Sequence, residues 1–161
     1  MKKVGIGILV ILILLQAYRP AKNDSKKIDN DISKTYTVPD DVNQILAKAC
    51  YDCHSNNTTY PWYNNIQPVG IWLANHVNDG KRHLNFNDFT SSPIARQYKK
   101  LDECIEQVKE GDMPLESYTW IHKEAKLSDI EKQKLFDWCT SIRDSIKSKY
   151  PADSLVLPKR K

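Results

Sequence analysis

The run Cys50-Tyr51-Asp52-Cys53-His54 sets two thiols three positions apart with a histidine directly behind the second. In a C-x-x-C-H run the cysteines form thioethers to haem vinyl groups and the histidine ligates the iron, so five residues tether one cofactor at three points. With 4 Cys and 4 His placed at random over 161 positions, the run is expected about 0.002 times per chain, so chance is a poor explanation of it. It predicts one covalent haem c, with Cys50 and Cys53 as attachment points and His54 as the proximal iron ligand.

Working outward, the elements around the motif read as helices. Pro39 and Asp40 precede Val42, Ile45, Leu46 and Ala49, an i, i+3, i+4, i+7 stripe running into Cys50. His54 to Gln67 has no helical stripe and reads as a loop. Pro68 opens a helix through Trp72, Leu73, His76 and Val77, with Gly80 as its expected left-handed cap. Ser92-Pro93 starts another, with Ser92 as the expected N-cap and Pro93 at the first helical position, striped by Ile94, Tyr98, Leu101, Ile105 and Val108 and stopping by Gly111. Ser128 to Glu131 form a capping box before Leu135, Trp138, Cys139, Ile142 and Ile146. No segment alternates with period two, so the expected fold is all-α: a small helical domain around one covalent haem, preceded by an apolar N-terminal helix.

The domain boundaries follow from composition. Residues 1–20 read as a signal-anchor or signal peptide, 21–38 as a flexible tether too polar to bury much surface, 39–150 as the haem-binding domain and 151–161 as a basic C-terminal tail. The net charge of +4 suggests nucleic acid at first sight, but 14 Lys/Arg stand against 15 Asp/Glu between Asp41 and Tyr150. The basic excess is in the tails, which argues against a nucleic-acid partner.

Val4 to Tyr18 is almost wholly apolar behind Lys2 and Lys3, the layout of an export signal. As a helix it would rise about 22 Å, short of a hydrocarbon layer of roughly 30 Å, which favours cleavage. Leu15 is bulky where a cut after Ala17 wants a small residue, which favours an uncleaved membrane anchor. Arg19, Lys22, Lys26 and Lys27 on the far flank oppose an outside placement. A covalent c-type haem implies export, so the expected location is the periplasmic side of the cytoplasmic membrane, anchored, with a soluble periplasmic form as the alternative.

Met113 is the first candidate for the distal iron position. A thioether sulfur is a soft donor that favours ferrous iron and raises the potential, and Met113-Pro114 lies in an extended loop between two striped helices. His76 and His122 are the alternatives. His83, behind Lys81 and Arg82, reads as solvent-exposed. Tyr60, Trp62 and Tyr63 follow the motif closely enough to be haem contacts through ring packing or hydrogen bonds to propionates. Cys104 and Cys139 fall on apolar helix faces and read equally as buried thiols or as a bridge. They are too far apart in sequence to complete a structural zinc site of two close pairs with Cys50 and Cys53.

The Met-Pro loop between helices resembles the class I cytochrome c arrangement. The stretch from Cys50 through Tyr60-Pro61-Trp62-Tyr63, with Gln67-Pro68-Val69, Trp72 to His76, Met113-Pro114-Leu115, Tyr118-Thr119, His122 and Leu127-Ser128, resembles the haem-binding domain family. The resemblance implies respiratory or redox company and assigns no substrate. Two functions follow as expectations. One is a single-haem electron carrier serving redox partner proteins, with His54 and Met113 saturating the iron. The other is a haem enzyme or a gas or redox sensor with an open or bis-histidine distal site.

Overall fold

The computed structural model describes residues 2–158, and among them there is no β-strand. The helices are α1 (Lys2–Leu15), α2 (Asp40–Ala49), α3 (Tyr51–His54), α4 (Val69–His83), α5 (Ile94–Glu110), α6 (Glu116–Thr119) and α7 (Asp129–Lys149). Short 3-10 turns fill the connections, among them Ile32–Lys34, Trp62–Asn65 and Phe86–Ser91. The all-α expectation holds.

Helix α7 is the spine. The expected capping box is formed: the Ser128 hydroxyl accepts from the Glu131 amide and the Glu131 carboxylate accepts from the Ser128 amide. Its stripe of Leu135, Trp138, Cys139, Ile142 and Ile146 is wholly buried and meets Leu101 and Val108 of α5 and Val42, Ile45 and Leu46 of α2 in one core. Arg143 fixes the α5 side, reaching Asp102 at 2.6 Å and lying over the Tyr98 ring. Glu131 fixes the α2 side through Lys48 at 2.5 Å. The Lys48 partner, with the cap hydrogen bonds from Ser128, holds the Glu131 carboxyl at about 2. This contribution is present above the ordinary carboxylate range and is lost as pH falls through about 2.

Several expectations are corrected. Residues 21–38 are not a flexible tether. Asn23 accepts from Lys81 at 2.6 Å and donates to Ser55 and Thr58 at 2.9 Å, and Ile32 is 1% exposed within the core. The segment is polar because many of its polar groups are spent on hydrogen bonds, several of them to the loop after the motif, and Ile32 seats it with Tyr36 and Val38 packed against the same core. Gly80 does not cap α4, which runs on to His83. Ser92 does not cap α5 either; its side chain makes no cap bond and Pro93 occupies the capping position. Of the basic tail over 151–161, Ala152–Leu155 turns back with Leu155 against the core, and Lys159 to Lys161 lie outside the described residues.

No helix among the described residues is long and apolar enough to cross a membrane. The apolar N-terminal stretch forms α1, whose 14 residues rise about 21 Å. It ends where Gln16 turns to the domain, its amide donating to the Gln67 carbonyl at 3.0 Å and accepting from the Gln67 N–H at 3.0 Å.

The buried placement of Ile32 carries a test. Ile32→Ala should lower unfolding free energy by about 2–5 kcal/mol in urea titration, whereas a true tether would leave the midpoint unmoved.

Candidate functional site

Cys50 lies at the junction of α2 and α3, and the single turn of α3 carries Cys53 and His54. Helix α4 crosses directly behind this turn, and a Cβ on Gly80 would stand 2.7 Å from the Cys53 carbonyl oxygen and 3.0 Å from its Cβ. Only glycine permits that approach. It lets His54 reach the helix end, where its Nδ1 lies 3.0 Å from the carbonyl oxygens of both Gly80 and Leu84. Two acceptors require Nδ1 to carry the proton, so Nε2 is left as the free base, the arrangement a metal-ligating histidine uses. Burial, with smaller effects from His83 and Lys100, outweighs the raising effect of the two carbonyls and lowers the His54 pKa, so the ring is neutral.

Burial pushes the Cys53 thiol up to about 11, with Asp52 adding to it. Burial raises Cys50 further still, with Cys104 and Cys53 contributing. Both are thiols at neutral pH. Cys104 and Cys139 are free; they hydrogen-bond to each other where α5 meets α7.

Cys50, Cys53 and His54 open onto a cavity of about 610 Å³, within the range of roughly 300–1,000 Å³ that suits a cofactor-sized ligand. Met113, Pro114 and Leu115 line it as well. Met113 is placed by the end of α5, where Gly111 takes the left-handed conformation at φ 86° and the amides of Asp112 and Met113 both return to the Gln107 carbonyl. His76 lines the cavity too; its Nδ1 is held by its own helix at the Trp72 carbonyl, 2.9 Å away. His83 is exposed and sits on the rim with Lys100.

The other expected contacts lie elsewhere. Tyr60, Trp62, Tyr63 and His122 do not line the cavity. The Tyr60 oxygen accepts from the Asn23 amide at 2.7 Å, Trp62 is 76% exposed, and Tyr63 meets His122 Nε2 at 2.8 Å. The 3-10 turn over Trp62–Asn65 leaves Trp62 and Tyr63 outside the cavity. His122 therefore presents its Nε2 to Tyr63 and not to the cavity.

Asp52, which the motif leaves unspecified, connects three parts of the site. It accepts from the Tyr118 hydroxyl at 2.8 Å and from the Thr59 amide at 2.9 Å, while its carbonyl accepts from Thr58 at 2.6 Å. Tyr118 lines the cavity and stacks on His122 with ring centroids 4.4 Å apart; burial and then the Asp52 bond raise its pKa. The sequence marked Asp52 and Tyr118 only as parts of the stretches that carry the resemblance, and Gly80 only as a cap; none of the three contacts was local enough to read.

Residues 10–141 match the family model of the haem-binding domain. The chain belongs to the haem-binding domain family. No significant match was found among curated proteins or solved structures. The donor set fits the cofactor the family is described by: an uncharged imidazole with a free Nε2, two thiols and a thioether share one largely apolar cavity.

The tight crossing in this haem-binding domain gives a prediction. Gly80→Ala should force α3 and α4 apart and lower stability by about 1–3 kcal/mol through overpacking, against a helix-propensity gain of about 1 kcal/mol. Thermal unfolding and the visible spectrum of the haem-loaded chain would both register it; an unchanged melting temperature and spectrum would show that the crossing is not close.

Proposed function

We propose that the chain is an exported c-type haem protein that works as a single-haem electron carrier. The observation that carries this reading is the His54 ring, with Nδ1 held by two carbonyls and Nε2 free, in a cavity that also contains Cys50, Cys53 and Met113. Cys50 and Cys53 would hold one haem by thioethers, His54 would be the proximal ligand and Met113 the distal one. When bound, the group supplies a one-electron iron couple whose potential depends on its axial ligands and burial.

The chain's own residues do the rest. The carbonyls of Gly80 and Leu84 orient His54 and keep its ligating nitrogen basic. Met113 offers a soft sulfur that favours the reduced state. If His54 and Met113 both hold the iron, small substrates would find no open coordination site, which favours a carrier over an enzyme or sensor. Redox proteins are the fitting partners. Lys2 and Lys3 before the apolar stretch support export and a place on the periplasmic side of the cytoplasmic membrane.

Covalent attachment is tested directly. Denatured protein produced with haem-attachment machinery should retain its haem, and Cys50→Ala with Cys53→Ala should release all of it into acidic organic solvent. Extraction from the wild type would refute the covalent assignment.

Met113→Ala should abolish the near-infrared sulfur-to-ferric-iron band, admit CO to the ferrous form and lower the potential by roughly 0.1 V, a modest part of the roughly 0.8 V that axial ligands span. If the wild type lacks the band and His76→Ala opens the site instead, the ligation is bis-histidine and Met113 is a packing residue.

A further inference from the structure

Large apolar side chains are exposed together on one side of the domain. Trp62 is 76% exposed, Trp120 68%, Ile121 62% and Ile66 46%. Single exposed apolar residues are ordinary, but a contiguous group marks a contact surface. The bonding brings the two segments that carry them together: Trp62 meets Tyr63 edge to face at 5.9 Å, Tyr63 meets His122 at 2.8 Å, and Trp120 and Ile121 directly precede His122.

The same surface is where α1 is attached. Gln16 is paired with the Gln67 backbone through two hydrogen bonds of 3.0 Å. Arg19 donates to the Asn65 carbonyl at 3.2 Å, and the Asn65 amide donates to the Trp62 carbonyl at 3.2 Å. These bonds hold the end of an exposed apolar helix beside the tryptophans. From Val4 to Leu14 that helix shows its large side chains to solvent on all sides, each at least 41% exposed. Among the described residues its apolar surface is left exposed.

We propose that the face bearing Trp62, Ile66, Trp120 and Ile121 is a lipid-contact surface, seating the domain on a bilayer into which α1 partitions. This rests on the proposed place at the cytoplasmic membrane, with the apolar α1 as the segment that seeks lipid, and extends it to the folded domain. Two features favour lipid over protein as the occupant. Indole rings combine a large apolar body with one N–H donor and settle at the boundary between hydrocarbon and headgroups. Arg19, Lys22, Lys26 and Lys27, all exposed just beyond the helix, supply the positive charge that anionic headgroups attract. Because the Gln16 and Arg19 bonds join helix and face, α1 cannot enter lipid in this conformation without bringing the face to the headgroups.

The test uses the full-length haem-loaded chain with vesicles of phosphatidylglycerol and phosphatidylethanolamine. The chain should float with the vesicles, and hydroxyl-radical footprinting should show oxidation of Trp62 and Trp120 falling severalfold on binding. The double variant Trp62→Ser, Trp120→Ser removes exposed side chains only, so it should keep its melting temperature and visible spectrum while its vesicle partition falls about tenfold. If the chain floats but both tryptophans oxidise as fast as in free protein, the face is not a lipid contact and the reading of α1 stands. Failure to float at all would overturn both.

Discussion

The site depends on one contact, the Nδ1–H of His54 shared between the carbonyls of Gly80 and Leu84 at 3.0 Å each. A buried imidazole left without these acceptors would carry an unsatisfied donor and would be free to turn. With them, the ring has one tautomer and one orientation, and the free nitrogen is the one directed away from α4. The contact needs α3 and α4 to touch at backbone level, which is why Gly80 sits against Cys53. One missing side chain therefore sets the position of both the second thiol and the histidine.

The opposite flank of the motif is held by polar groups. Asp52 draws in Tyr118, Thr58 and Thr59, and Asn23 bonds to Ser55, Thr58 and Lys81. Residues ahead of α2 thus brace the loop behind α3. Two apolar faces anchor the frame: α2 delivers Cys50 from the core it shares with α7, and α5 delivers Met113 from the same core. The motif is short, but its geometry is the product of the whole domain.

Helix type and core were legible because periodicity reports burial directly. The stripes of α2 and α7 lead straight to Val42, Ile45, Leu46, Leu135 and Ile146 in the core. The motif was equally plain, since its chemistry is local. What could not be read is what depends on contacts distant in sequence. Residues 21–38 look like a tether because their composition is polar, and nothing local tells that Asn23 has Tyr60 and Lys81 as partners. Tyr60, Trp62 and Tyr63 look like haem contacts because they are near the motif in sequence, yet none of the three lines the cavity: Tyr60 is bonded to Asn23 and Tyr63 to His122.

Gly80 and Gly111 show where local reasoning reaches its limit. Each follows an apolar stripe, and each satisfies the pattern of a helix cap. Gly111 is one: its φ of 86° is a conformation that other residues adopt at a steric cost, and reversal there turns Met113 into the cavity. Gly80 is helical, with α4 continuing three residues beyond it, and is glycine because another backbone lies against it. The first requirement belongs to the chain's own dihedral angles, the second to Cys53, a neighbour well before it in sequence. Between them they place the two residues proposed as axial ligands, so one wall of the cavity is set by ending a helix and the other by letting a helix run on.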